Sequence, residues 1–301
     1  MTIEKLLRRD FLAGLGLAGG GSLLLGCGMP IRQTASHAEE PSQKQPQEKI
    51  SGAGEKTAES KAPLQRPDLV SWPWQALDPQ EAAQKAYDIY PDGSCTYAVM
   101  GGVILLLAER FGQPYRSFPL HMARFGREGI AGLGSVCGVL SGGAALISLF
   151  IGEKDPAVRE SLIRELAFWY ESTELPIFRP EKPQWAENVA TCRADSVLCH
   201  ISALRWTQAS GRDAYSQEKK ERCRRVSADG AWKTVELLNR HFAGQPCLAQ
   251  LPKDTQTCLE CHGKKQLRDI RGEMRCSTCH PQLSEKHPKL ESPPILKPPS
   301  Q

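Results

Sequence analysis

Apolar positions are unevenly spread along the chain. From residue 28 to about 66 the sequence is polar, built of Gln, Glu, Lys, Ser, Ala and Pro, with almost no large apolar side chain. Such a stretch cannot bury enough surface to offset the entropy of ordering it, and it predicts a flexible tether. The tail over residues 284–301 is Pro-rich and predicts an unstructured end. Between them, from Pro67 to about His241, apolar residues recur mainly at helical spacing, and no alternating strand pattern stands out.

Several helix boundaries are legible in this middle region. Asp78-Pro79 and Asp155-Pro156 each place a capping residue before a proline suited to the first helical position. After the second pair, Val158, Leu162, Leu166 and Trp169 mark one face of a helix. "DGSC" punctuates the chain before the helix "TYAVMGGVILLLAERFG". Ser216 predicts the cap of a long final helix whose apolar face holds Val226, Ala231, Val235 and Leu238. From Gly129 to Gly152 the chain carries no charge over 24 residues. That length would permit a membrane span, but the glycine content predicts a loop through about Gly134. A buried helix then follows, with glycines where another backbone approaches. "GLGSVCG" within it loosely matches a dinucleotide fingerprint, but no strand precedes it. Ser135 and Ser141 do not fit a nucleophile elbow. The fold class expected is mainly α, a helical N-terminal domain over 67–245 with a small irregular C-terminal segment over 246–283.

The N-terminus bears on the compartment. Arg8-Arg9 precedes about fifteen uncharged, Gly-rich residues, too short and too weakly apolar to span a bilayer. Twin arginines there point to Tat export, a route that carries folded proteins. "LLGC", Leu24 to Cys27, resembles a lipobox, which would close a signal segment over 1–27 and make Cys27 a lipid-bearing anchor. The bland alternative is an ordinary cleavage site. The expected location is the periplasmic side, as a membrane-anchored lipoprotein. Net charge is +4 with no basic run, which argues against nucleic-acid binding.

The chain has eleven cysteines. Four lie in Cys258-Leu-Glu-Cys261-His262 and Cys276-Ser-Thr-Cys279-His280. The spacing alone would suit a zinc ribbon or two disulfides. A four-thiolate zinc site, however, has no use for a histidine after each second cysteine. A c-type haem does: two thiols add to its vinyl groups and the adjacent imidazole lies beneath the iron. We read two covalent haems, on Cys258 and Cys261 with His262 proximal, and on Cys276 and Cys279 with His280 proximal. The two histidines are eighteen residues apart, at most ~60 Å in extended chain, and turns around "DIRGEM" would bring them closer. With His37 in the tether and His287 in the tail, the candidates for sixth ligands are His121, His200 and His241. Met122 and Met274 are weaker ones.

Cys27 and the haem motifs aside, six cysteines remain: Cys95, Cys137, Cys192, Cys199, Cys223 and Cys247. Cys95 and Cys137 each open a predicted helix, where free amides and the dipole stabilise a thiolate. Cys192 and Cys199 are seven residues apart, which on a regular helix would separate them by ~10 Å. By spacing alone, three disulfides suit these thiols as well as an iron–sulfur site. Cys247 is read as incidental.

"WPWQALDPQEAAQKAYDIYPDGSCTYAVMGGVI", "GQPYRSFPLHMARFGREGIAGLGSVCGVLSGG", "LCHISALRWTQASG", "ERCRRVSADGAWKTVELLN" and the two CxxCH motifs together resemble the split-Soret cytochrome c family over about residues 68–281. The Cys95 to Cys137 portion also resembles a wider group of redox proteins with spaced cysteines. The resemblance implies an exported, dimeric, dihaem electron-transfer protein with haems near the subunit interface and an added iron–sulfur centre, [2Fe–2S] being the preferred form. It makes Cys95, Cys137, Cys192 and Cys223 the cluster candidates, with Cys199 as the substitute for Cys192. It raises His200 as a distal ligand, open to donation across a dimer. The lipobox and long tether are additions it does not itself imply. No side chain is assigned a catalytic role. The competing expectations are a small haem reductase with one open iron position, and a haem protein whose other cysteines form structural disulfides.

Overall fold

Asp78 starts the ordered helical body as its sequence predicts. In a computed structural model, which describes residues 71–266 and 269–280, its Oδ1 accepts the backbone N–H of Gln80 at 2.8 Å, with Pro79 in the first turn. The signal segment with Cys27, the tether, His37, His287 and the Pro-rich tail lie outside the described residues.

Helix α1, Pro79–Phe111, is broken at Ser94, whose φ of 66° is not helical. The chain folds back there, so the two halves pack against each other. A Cβ on Gly102 would lie 2.7 Å from the Ala82 carbonyl oxygen and 2.8 Å from the Ala86 Cβ, so this close approach requires glycine. Lys85 pairs with Glu109 at 2.7 Å, and Arg110 with Glu81, across the same seam. α1 is long and apolar enough to cross a membrane by composition alone, yet it is a folded-back pair of core helices.

Two short 3-10 turns, Tyr115–Ser117 and Leu120–Phe125, lead into the Gly-rich loop. Helix α2, Gly138–Ile151, follows, starting a few residues after the predicted loop end. Helix α3, Pro156–Ser172, is capped by Asp155, which accepts from Val158 N at 3.0 Å. Two-residue strands β1, Glu174–Leu175, and β2, Cys192–Arg193, pair antiparallel with Leu175 opposite Cys192. Helix α4, Cys199–Ser210, was not foreshadowed by periodicity. Helix α5, Gln217–Phe242, is capped by Ser216 through Lys219 N at 3.2 Å, and Val226, Ala231, Val235 and Leu238 are all buried. The C-terminal segment, expected to be irregular, contains helix α6, Lys253–His262. The core is formed by Val99, Val103, Ile104 and Leu107 of α1, Leu146, Ile147 and Phe150 of α2, Leu162 and Leu166 of α3, and the apolar face of α5. Mainly helical architecture is thus observed, as the sequence pattern predicts.

Candidate redox site

Four cysteines from four helices meet at one end of this core. Cys95 directly follows the Ser94 break, and Cys137 is the N-cap of α2. Both are 6% exposed. Cys199 is the first residue of α4, and Cys223 lies within α5. Backbone pairing aligns two of them. Cys137 N–H donates to Val197 at 2.8 Å, Cys199 N–H to Ser135 at 2.7 Å, and Val136 bridges Leu198 antiparallel. Cys95 is held against the start of α2 because Thr96 Oγ1 donates to the Gly138 carbonyl at 2.8 Å.

The thiols stand as two hydrogen-bonded pairs, Cys95 with Cys223 and Cys137 with Cys199. Among the described residues no three His, Cys, Asp or Glu side chains converge tightly enough to hold a single metal ion. Cys192 stands apart. It sits on β2, and the charged groups acting on it are Arg222, Asp195, Arg205 and Glu174. Pairing of 197–199 with 135–137 brings Cys199, the substitute for Cys192, to the other three thiols, and leaves Cys192 outside the group. All ten described cysteines are free thiols.

The surroundings stabilise thiolates. The Cys95 hydrogen bond, aided by Lys219 and Arg222, holds the Cys223 thiol well below its ordinary range despite burial. Lys219 Nζ donates to Cys223 Sγ at 3.1 Å. The Cys199 hydrogen bond brings Cys137 down to about 7. The donors Cys95 and Cys199 are pushed up by the same bonds and by burial. Tyr90 places its hydroxyl 3.8 Å from Cys95 Sγ, and the Tyr170 hydroxyl lies between Ser202 Oγ, at 2.9 Å, and Cys137. Burial pushes both phenols up, so they remain neutral. Four soft sulfurs, two buried and two half-buried, two of them biased toward thiolate, with cations alongside, fit a thiolate-held iron group. Lys219, Arg222, Tyr90, Tyr170 and Ser202 were not anticipated from the sequence; the only local hint was the charge around Cys223 in "KKERCRR".

The CxxCH residues form a second cluster. Cys258, Cys261 and His262 share one face of α6, three and four residues apart. Cys276 to His280 form a turn, with Cys279 N and His280 N both donating to the Cys276 carbonyl at 3.2 and 3.0 Å. The Cys258 and Cys276 thiols touch, and Ile270 N donates to the His262 carbonyl at 3.2 Å, so the two motifs are side by side. Exposed or half-buried thiols with nearby imidazoles fit covalent haem attachment. The segment is tied to the helical body by Arg275–Asp195 at 3.3 Å, Arg164–Glu273 at 2.7 Å, and Thr278 donating to the Asp195 carbonyl. Asp195 lies four residues before Cys199, so one stretch of chain touches both clusters.

The three candidate distal histidines lie on three different elements. His121 is exposed on the second 3-10 turn. His241 is half-buried near the end of α5, edge-on to Phe242 with ring centroids 5.0 Å apart. His200 is exposed in the first turn of α4, with Nδ1 2.8 Å from the Gly134 carbonyl oxygen.

Residues 95–237 match a family described as "Putative redox-active protein (C_GCAxxG_C_C)". Over 282 residues the chain is 34% identical to split-Soret cytochrome c of Desulfovibrio desulfuricans, covering 91% of this chain and 94% of that protein. The solved structure of the split-Soret cytochrome c of Desulfovibrio desulfuricans, described as having a novel iron centre, matches with a TM-score of 0.67 and 34% identity. It covers 74% of this chain and 95% of that one.

Proposed function

The chain belongs to the split-Soret cytochrome c family, and on that footing we propose that it is an exported dihaem electron carrier with an additional two-iron, two-sulfide centre. The observation that carries the reading is the contact between Cys258 and Cys276, which puts both CxxCH motifs on one surface. In this reading Cys258, Cys261 and His262 would hold one haem, and Cys276, Cys279 and His280 would hold the other. The two-pair arrangement of thiols suits a [2Fe–2S] centre, Cys95 and Cys223 serving one iron and Cys137 and Cys199 the other. When bound, these groups accept and release single electrons. The protein's part is to hold them close together, keep water from the buried thiols and fix the imidazoles.

His200 is the best placed distal ligand. Its Nδ1 bond to a backbone carbonyl fixes the ring and leaves Nε2 for a metal, the arrangement typical of ligating histidines. Its exposure suits donation to a haem of a partner subunit. Leu248, Ile270 and Met274 are exposed on the C-terminal segment and would be covered by haem and by a second copy in a homodimer. Tat export to the periplasmic side, with Cys27 lipid-anchored, suits a protein that must load an iron centre before translocation. Its partner there is another redox protein.

The test is iron and haem per chain, with the visible spectrum, on protein purified without oxygen. The expected result is two haems, roughly four irons in all, and a split Soret band. Two irons, all in haem, would remove the iron–sulfur centre; fewer than two haems would overturn the dihaem reading.

A further inference from the structure

We infer that Lys219 and Arg222 are the counter-charges of the iron centre, fixing its reduction potential by offsetting the negative charge of its four thiolates. This rests on the reading that Cys95, Cys137, Cys199 and Cys223 hold iron.

Arg222 supplies the argument. It is 3% exposed. Its Nη2 donates to Ser202 Oγ at 2.7 Å, while its Nε meets no acceptor among the described residues. No ion pair with a carboxylate of the described residues forms at it, the Asp229 carboxyl acting on it from farther off. Its neighbours on α5 face other groups, although Arg224 Nη1 also lacks an acceptor among the described residues. Arg225 pairs with Glu221 at 2.8 Å, and Arg224 donates to the Tyr87 carbonyl and lies 3.9 Å over the Tyr87 ring. An arginine cannot shed its proton, and burying an unpaired guanidinium is strongly unfavourable. The negative partner must therefore come from what surrounds it: Tyr170 and the sulfurs of Cys223, Cys192 and Cys137 act on it most strongly, and the Asp229 carboxyl acts on it as well. Tyr170 is neutral, burial pushes the Cys192 thiol up, and the Asp229 carboxyl is taken by the Ile177 and Phe178 amides, so the Cys223 and Cys137 thiolates are the main partners.

Lys219 lies about one turn earlier on α5 and reaches the same site, with Nζ 3.1 Å from Cys223 Sγ. One stretch of helix thus delivers two cations and one ligand together. A centre of two ferric irons, two sulfides and four thiolates carries about −2, and about −3 after one electron enters, and net charge and hydrogen bonds to sulfur tune its potential. Two positive charges, Arg222 buried and Lys219 half-buried, balance the oxidised form and favour the reduced one further. Removing either makes the added electron harder to accept.

The test is a potentiometric titration of the anaerobically purified full-length holoprotein, following the iron–sulfur centre by electron paramagnetic resonance and the haems by visible absorption. Lys219→Gln is expected to lower the reduced-to-oxidised ratio of the centre at a given potential by about tenfold, a 59 mV shift for one electron. Haem midpoints should stay in place and Lys219→Arg should behave as wild type. A Lys219→Gln protein that keeps its centre at an unchanged midpoint would overturn the inference, as would Lys219→Arg shifting as far as Lys219→Gln. If Lys219→Gln loses the centre, retention in Lys219→Arg supports the charge role, and loss in both overturns it. Arg222→Gln and Arg222→Lys are read in the same way. Wild-type protein with no iron beyond its haems would instead sink the iron-centre reading and this inference with it, before any variant is compared.

Discussion

Cys137 and Cys199 lie side by side because the backbone beneath them is paired, Cys137 donating to Val197 at 2.8 Å and Cys199 to Ser135 at 2.7 Å. Neither thiol depends on a flexible side chain to find the other. The site is therefore as rigid as that pairing, which suits a centre that must change charge without changing shape.

Cys199→Ser should lose the non-haem iron, whereas Cys192→Ser should keep it. Losing an outer-shell partner typically costs roughly 10–100-fold in metal affinity, and losing a ligand should cost at least that. Non-haem iron per chain in the two variants is the measurement. Retention in Cys199→Ser together with loss in Cys192→Ser would reverse the assignment made from the geometry.

Gly138→Ala should loosen the same site from the other side. A Cβ there would lie 2.3 Å from the Gly126 carbonyl oxygen and 2.9 Å from both the Cys95 Cβ and Thr96 Oγ1. Helix α2 would have to back away from Cys95, at a cost of about 1–3 kcal/mol. A lowered melting temperature together with partial loss of non-haem iron is expected; unchanged values of both would contradict the close packing.

Asp229 gives stability a pH dependence of unusual sign. Its carboxylate accepts the N–H groups of Ile177 and Phe178 at 2.9 and 2.7 Å, yet burial pushes it up to about 6 from 3.8. Between those values the folded chain keeps a proton that the unfolded chain has released. This carboxyl's contribution is therefore intact below about pH 4 and falls as pH rises to about 6, by something on the order of 2–3 kcal/mol. Asp229→Asn, neutral at every pH, should lack this dependence. The gap from wild type should shift in the variant's favour between pH 4 and 7. Denaturant titrations at the two pH values check this, and a constant gap would refute it.

His200→Ala should convert one haem from low to high spin and let it bind cyanide, while His121→Ala should leave the spectrum unchanged. The ring that a carbonyl already orients is the one prepared to ligate. A low-spin spectrum in His200→Ala would assign the sixth ligand elsewhere, with His241 next to test.

Much of the local structure could be read in advance because its causes are local. Asp78, Asp155 and Ser216 cap the helices they were expected to cap, since a capping side chain needs only the amides two or three residues ahead. The break at "DGSC" and the positions of Cys95 and Cys137 at helix starts follow from the same short-range preferences. Helices α4 and α6 were missed, as their sequences carry no clear apolar stripe and are supported by packing instead.

The sequence by itself determined the helical class and the two CxxCH motifs, since caps, apolar period and paired thiols with an adjacent imidazole are all written within a few residues. Only the tertiary structure decided that Cys199 rather than Cys192 joins Cys95, Cys137 and Cys223, that Cys258 meets Cys276, and that Arg222 is buried beside sulfur. Those relations depend on where distant segments cross, such as 134–137 on 197–200, and on what the crossing shuts away from water. No spacing along the chain encodes that.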